Sequence, residues 1–204
     1  MVLIVFEGID GTGKTTQIKK FFNELIKTEL PTHFYKYHKP FKNSEINRHL
    51  NERVKHSAKS MMNFYLREMK RDMPLIKKEN KSGFILIDRY FYSTISYQGQ
   101  SLGIEKIIDE IKKRDLLIPN YVVWFDIGPN ISAERRRNAT GSNIFEKDFK
   151  MQSNCREIYQ KLYEEKPFGA TWIKIDITNK SIEEVWEELK NILLDPILKQ
   201  TKTL

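Results

Sequence analysis

The chain holds a single cysteine, Cys155, in 204 residues. One thiol cannot close an internal disulfide or build a cysteine-ligated zinc site, and such scarcity suits a reducing compartment. No stretch approaches the ~20 consecutive apolar residues of a membrane helix, so no membrane partner is expected. Nine glycines and seven prolines are scattered along the chain. They form no linker, and there is no internal repeat or low-complexity segment, so a single domain over residues 1–204 is expected. The four histidines (His33, His38, His49 and His56) lack metal-ligand spacing and read as solvated or structural. The opening MVLIVFEGID has no basic leader and runs straight into a glycine turn, which does not read as a signal peptide. A cytoplasmic protein is the expectation.

What the chain does have is charge. Thirty-five Lys and Arg against 27 Asp and Glu leave a net +8, with 30% charged and 40% hydrophobic residues. A basic balance attracts polyanions. Here the bases are dispersed rather than gathered in a tail, which favours a phosphate-lined pocket under a Lys-rich exterior over a nucleic-acid arm. No nucleic-acid partner is expected.

Short runs rich in β-branched and aromatic residues read as buried strands at Val2–Phe6, Phe84–Ile87, Tyr121–Phe125 and Thr171–Ile175, with His33–Tyr37 a weaker fifth. Helical patterns lie between them at Lys14–Lys27, Ser44–His56, Ser60–Lys78, Ile104–Arg114, Lys147–Glu165 and Ile182–Leu194. Such alternation predicts an α/β fold, a five-stranded parallel sheet with helices on both faces. Ligands of parallel sheets sit at the carboxyl ends of the strands, and the informative motifs fall there.

The first is Gly8-Ile9-Asp10-Gly11-Thr12-Gly13-Lys14-Thr15, a P-loop pattern with a hydrophobic strand before it and an amphipathic helix after it. Glycines let backbone N–H groups of the loop, through Thr16, turn toward phosphate oxygens, and the helix adds its positive end. Lys14 is placed to reach the β- and γ-phosphates and the Thr15 hydroxyl to bind Mg²⁺. The P-loop NTPase fold follows, with a nucleoside triphosphate as ligand. A switch GTPase would need an Asn/Thr-Lys-x-Asp motif; Asn179-Lys180 is followed by Ser181-Ile182 and fails it. A small-molecule kinase fits the chain length better than a motor. The second motif is Asp88-Arg89-Tyr90, delivered by an apolar strand. There a carboxylate can organise Mg²⁺ through water or orient an acceptor phosphate, and a guanidinium can clamp a phosphate in a fork.

Phe6-Glu7-Gly8-Ile9-Asp10-Gly11-Thr12-Gly13-Lys14-Thr15-Thr16-Gln17 together with Asp88-Arg89-Tyr90 resembles the thymidylate kinase family of nucleoside monophosphate kinases. The resemblance covers about residues 2–195. Asp10 stands before the second loop glycine, where adenylate kinases carry Pro and guanylate kinases Ser. The resemblance implies transfer of the ATP γ-phosphoryl to dTMP, giving dTDP and ADP for dTTP synthesis, with Mg²⁺ and as a homodimer. It implies that Arg89 binds the dTMP phosphate, that Thr94 and Gln98 lie near the base, and that Tyr97 packs under the sugar and disfavours a 2′-hydroxyl. Asp10 is expected near the sugar 3′-hydroxyl or the metal, with Glu7 supporting it.

Two further segments carry the likeness with departures. In His38-Lys39-Pro40-Phe41-Lys42, Lys42 stands where an arginine often serves the acceptor phosphate, a point charge in place of a fork. In the helical stretch Met61–Arg71 the family's Phe-x-x-x-Arg spacing would pair Arg67 with Asn63. Either Phe64 or Tyr65 must then stack on thymine, and either Arg67 or Arg71 must reach the acceptor; Phe64 and Arg67 are preferred. Members of this family carry the catalytic arginine either in the phosphate loop or in a mobile lid; position 11 is Gly, so the resemblance implies the lid, at about 135–146. Arg135-Arg136-Arg137 end a helix that starts near Pro129, with Arg135 toward ATP and Arg137 as the inserted cation. Adenine is expected against the loop near Thr178–Ser181. The alternatives are another nucleotide kinase with broader acceptor choice and a P-loop module that binds nucleic acid without turnover.

Overall fold

A computed structural model describes residues 1–37, 57–79, 83–140 and 146–201. The chain runs β1 (Val2–Glu7), α1 (Lys14–Ile26), β2 (Thr32–Lys36), α2 (Ala58–Glu79), β3 (Phe84–Asp88), α3 (Phe91–Leu102), α4 (Ile104–Lys112) and β4 (Tyr121–Asp126). It continues through α5 (Pro129–Thr140), α6 (Glu146–Glu165), β5 (Thr171–Asp176) and α7 (Ile182–Leu189), then a π-helical turn (Lys190–Leu194) and α8 (Asp195–Thr201). The helix expected over Ser44–His56 lies outside the described residues.

The five strands form one parallel sheet in the order β2-β3-β1-β4-β5. All of β3, and β1 and β4 after their first residues, are buried on both pleat faces. That burial is why these strands read as unbroken hydrophobic runs instead of alternating ones. The register lines up the carboxyl ends: Phe6 and Lys36 both stand opposite Asp88, and Asp126 opposite Asp176. This edge is therefore polar while the strand interiors are not.

Helices cover the sheet by ordinary periodicity. α2 buries Met62, Leu66, Met69, Met73 and Ile76, an i, i+3/i+4 stripe along one face. α1 buries Gln17, Ile18, Phe21 and Leu25, and Phe21 meets Phe6 edge-on at 5.6 Å. α7 starts at a capping box in which the Glu184 N–H donates to Ser181 Oγ at 3.2 Å and the Ser181 N–H to Glu184 Oε2 at 2.8 Å.

Three helices depart from the sequence reading, and one of them, α8, simply carries the last helical run past Leu194. α3 is absent from that reading because Phe91 to Ser96 are all buried, and a helix buried all round shows no amphipathic stripe. α5 runs on to Thr140, three residues past Arg137, so the arginines sit inside the helix rather than at its end.

The entry to β3 is a tight approach. The Gly83 carbonyl accepts from the Val2 N–H at 2.9 Å, and the Pro31 carbonyl accepts from the Phe84 N–H at 2.8 Å. Gly83 has φ 111°, and an added Cβ would meet the Pro31 oxygen at 2.1 Å. The Gly83→Ala variant is expected to lose about 2 kcal/mol and roughly 4–8 °C in Tm, read by thermal denaturation. An unchanged Tm would show that this approach is not constraining.

Candidate active site

The loop between β1 and α1 wraps back on the sheet edge. Gly8 (φ 138°) passes so close to β4 that a Cβ would meet the Phe125 oxygen at 2.6 Å. Gly13 (φ 75°) turns the chain into α1. Loop residues Gly11, Thr12, Gly13, Thr15 and Thr16 line a cavity of about 270 Å³, whose opposite wall is Lys36, Asp88 and Arg89. Lys14 folds into the loop and donates to the Ile9 oxygen at 2.8 Å, the Gly8 oxygen at 3.0 Å and Thr12 Oγ1 at 3.0 Å. Burial, with Arg89 nearby, pushes the Lys14 ammonium down to about 7.

Arg89 is the centre of the second half. It follows β3 in a left-handed backbone conformation, φ 66°, which a long side chain seldom adopts and which marks a position held by its surroundings. Its N–H donates to the Phe6 oxygen at 3.0 Å. The guanidinium is buried, pairs with Asp10, donates to Ser93 Oγ at 3.2 Å and lies 5.3 Å from the Tyr97 ring centroid. Burial works against its charge, but the surrounding Tyr97, Tyr159, Asp10 and Glu7 hold its pKa above the ordinary value. Burial alone would raise the Asp10 carboxyl; the Arg89 and Lys14 cations outweigh it and leave that group below its usual range. Gln152, on α6, clasps Asp10 twice: its amide donates to Asp10 Oδ2 at 3.0 Å and accepts from the Asp10 N–H at 3.1 Å.

Glu7 supports this arrangement from below. Fully buried, it accepts from the Tyr90 N–H at 2.8 Å, Ser93 Oγ at 2.6 Å and the Tyr159 hydroxyl at 2.8 Å. Burial pushes its carboxyl up against the pull of those donors and of Arg89.

Beside Arg89 a smaller cavity of about 130 Å³ is lined by Asp10, Tyr65, Arg89, Tyr97 and Gln98. The aromatic on its α2 wall is thus Tyr65. Phe64 packs instead against Tyr65 at 5.6 Å and beneath the exposed Arg67, whose guanidinium is 5.9 Å from the Phe64 centroid. Arg71 is engaged with Glu68 and Asp72 on the surface. Thr94 is buried within α3. Gln98 Oε1 is a buried acceptor with no donor among the described residues. Lys42 lies outside the described residues. A wider, mainly apolar cavity of about 810 Å³ runs between α3 and α6 past Tyr97 and Met151; no phosphate-loop residue lines it, so the chemistry belongs to the smaller cavities.

The arginine run divides three ways. Arg135 donates to the Ile177 oxygen at 3.2 Å and walls a cavity of about 370 Å³ with Gly11, Gly13, Lys180 and Ser181. Arg136, which the sequence reading passed over, lays its stem on the phosphate loop: a Cβ on Gly11 would meet Arg136 Cγ at 3.0 Å. Its guanidinium donates to Asp148 Oδ2 at 2.5 Å. Arg137 is exposed and lines a different cavity with Glu134 and Phe149. Residues 141–145 of the expected lid lie outside the described residues.

Sequence reasoning also missed Lys36. Its ammonium pairs with Asp88 and donates to Thr15 Oγ1 at 3.3 Å, while Thr15 Oγ1 donates to Asp88 Oδ2 at 3.4 Å. Among the described residues no group of three or more His, Cys, Asp or Glu could hold a metal ion. The Thr15 and Asp88 oxygens, hard donors already gathered around one cation, do suit Mg²⁺ that takes its remaining ligands from nucleotide phosphates and water. Cys155 is a packing residue; burial pushes its thiol up to about 12.

A sequence model of the thymidylate kinase family matches residues 6–189. The chain is 29% identical over 207 residues to a thymidylate kinase of Leptospira interrogans, covering 96% of this chain and 95% of that one. It is 33% identical over 198 residues to a probable thymidylate kinase of Methanococcus maripaludis (95% and 96% covered). It is 31% identical over 210 residues to a probable thymidylate kinase of Thermococcus gammatolerans (97% and 98% covered).

The state of Lys14 has a measurable consequence. Above pH 7 the buried amine sheds its proton, and a phosphate anion beside it restores the charged form. ADP binding at pH 8 is therefore expected to take up roughly one proton per site, and affinity should weaken as pH rises through 7. Calorimetry in buffers of different ionisation enthalpy reads the uptake. Equal heats across buffers, or the same uptake in Lys14→Met, would sink this account.

Proposed function

The chain belongs to the thymidylate kinase family, and we propose that its phosphate loop holds ATP while the cavity beside Arg89 holds dTMP. The enzyme is a kinase that phosphorylates dTMP, with ATP as the phosphoryl donor. The observation that carries this division is the Arg89 guanidinium. It is buried at the end of β3, paired to Asp10 of the phosphate loop, and forms a wall of both cavities.

Phosphoryl transfer asks mainly for position and charge. Lys14 leaves its loop carbonyls for the β- and γ-phosphate oxygens, and Gly8–Thr16 supply backbone donors. Arg135 lies toward the nucleoside of ATP, in the cavity it shares with Ser181. Arg89 forks the acceptor phosphate, with Lys42 as a second cation. Tyr97 underlies the sugar and excludes a 2′-hydroxyl. Tyr65 stacks on thymine, in place of the expected Phe64, because it is the aromatic on the cavity wall. Gln98 Oε1 accepts a hydrogen bond from the thymine N3–H. Thr15 and Asp88 would hold Mg²⁺, which would supply positive charge to offset the charge of the phosphates during transfer.

For the inserted cation we favour Arg136 over Arg137. Its stem already rests on Gly11, and its guanidinium is held beside the loop by an ion pair to Asp148. One contiguous buried core supports the reading of residues 1–204 as a single kinase domain with a lid at about 135–146. Family likeness supports a cytoplasmic homodimer acting in dTTP synthesis.

Coupled ADP release tests the reading, with Mg-ATP and a panel of dTMP, dUMP, dCMP, AMP, GMP, CMP and UMP. Turnover with dTMP is expected. Preference for another monophosphate would overturn the base-pocket assignment, and no acceptor-dependent turnover would overturn the kinase. Arg89→Ala is expected to lower kcat/KM by at least ~100-fold. Arg136→Met should lower kcat about 10²–10³-fold with little change in KM, while Arg137→Met stays within a few-fold. The reverse ranking would hand the role to Arg137.

A further inference from the structure

Lys36 is the last residue of the edge strand β2 and stands directly opposite Asp88 in the parallel register. Register partners on adjacent strands project on the same face, so their meeting is fixed by the sheet. Lys36 reaches over the sheet edge into the phosphate cavity. Its side chain is 18% exposed and that of Asp88 is 2% exposed. The ammonium touches Asp88 Oδ2 and lies 3.3 Å from Thr15 Oγ1.

Three cations face this cavity, and they are engaged differently. Lys14 is tied to loop carbonyls, and Arg89 is tied to Asp10. Lys36 alone is held by the same two oxygens that would receive the divalent ion. An ammonium and a divalent cation cannot share that position, because like charges that close repel. A four-carbon arm with a compact charge can swing away without unfolding anything. A nucleotide entering the same cavity would offer it phosphate oxygens in exchange.

We propose that Lys36 is a resident counter-cation that reserves Thr15 and Asp88 until nucleotide phosphate arrives. Phosphate draws the ammonium off Asp88, the divalent ion then takes the vacated oxygens, and the two ligands are coupled through one side chain. Coupling of this kind is reciprocal and commonly amounts to about 5–150-fold in affinity. The proposal rests on the reading of Thr15 and Asp88 as the metal-binding groups.

Titration with Mn²⁺ alone, without nucleotide, followed by electron paramagnetic resonance of the free ion, tests this without recourse to activity. Lys36→Met is expected to bind Mn²⁺ about 10-fold more tightly than the wild-type chain, and Lys36→Arg, which keeps the charge, no more tightly than wild type. The gain should vanish in Lys36→Met combined with Asp88→Asn. Lys36→Gln, of similar length and polar, is read by the same criterion should the methionine variant not melt cooperatively. Equal Mn²⁺ affinity in the wild-type and neutral variants, or a gain that survives Asp88→Asn, would overturn the proposal. If that happens while dTMP turnover still requires a divalent ion, Lys36 alone is misread. Turnover independent of any divalent ion would instead remove the metal reading beneath it.

Discussion

A guanidinium buried at the end of a strand has to be matched, and most of the polar architecture of this protein follows from matching Arg89. Leaving a buried charge without partners is strongly destabilising, so the partners are not optional. Asp10 comes from the phosphate loop, Ser93 from the next helix, Tyr97 from a turn further along, and Glu7 lies beneath. Gln152 reaches in from α6 to fix Asp10, and Tyr159 from the same helix fixes Glu7. One charge thus ties the phosphate loop, the cavity lined by Tyr65 and Tyr97, and α6 to a common point. On the proposed assignment, placing ATP and placing dTMP become one geometric problem.

The same crowding explains why three cations coexist in a small cavity. Each is held by a different set of oxygens: loop carbonyls for Lys14, Asp10 for Arg89, Asp88 and Thr15 for Lys36. None of these arrangements is the one that phosphate would impose. On the proposed reading, the backbone and carboxylates keep their positions while the cations change partners when phosphate binds. Such an arrangement suits phosphoryl transfer, where charge must be met at the transferring group and released with the product.

How much of this could be read from the amino acids depends on the kind of signal. The five strands, the phosphate loop and Asp88-Arg89 were legible, since a hydrophobic run meeting a glycine turn or an acid–base pair is a local pattern. α3 was not: Phe91 to Ser96 are buried on every side, and periodicity is silent when no face is wet. Lys36 became visible only through β2 pairing with β3, because strand neighbours are a property of the sheet and not of the sequence. The choice between Phe64 and Tyr65, adjacent on one helix, turns on about 100° of rotation, beyond what a spacing argument resolves. Among the three arginines the middle one meets the loop. The sequence reading took the run as a helix terminus, whereas α5 continues to Thr140 and directs each arginine to a different neighbour.

The approach of Arg136 to Gly11 couples two residues far apart in the chain. With φ 79° and both the Arg136 stem and the Ser132 oxygen 3.0 Å from where a Cβ would stand, a side chain at position 11 would crowd that stem, and the arginine would have to give way by a few tenths of an ångström. The effect of a substitution at either position therefore depends on the residue at the other, as for any two side chains that share one space.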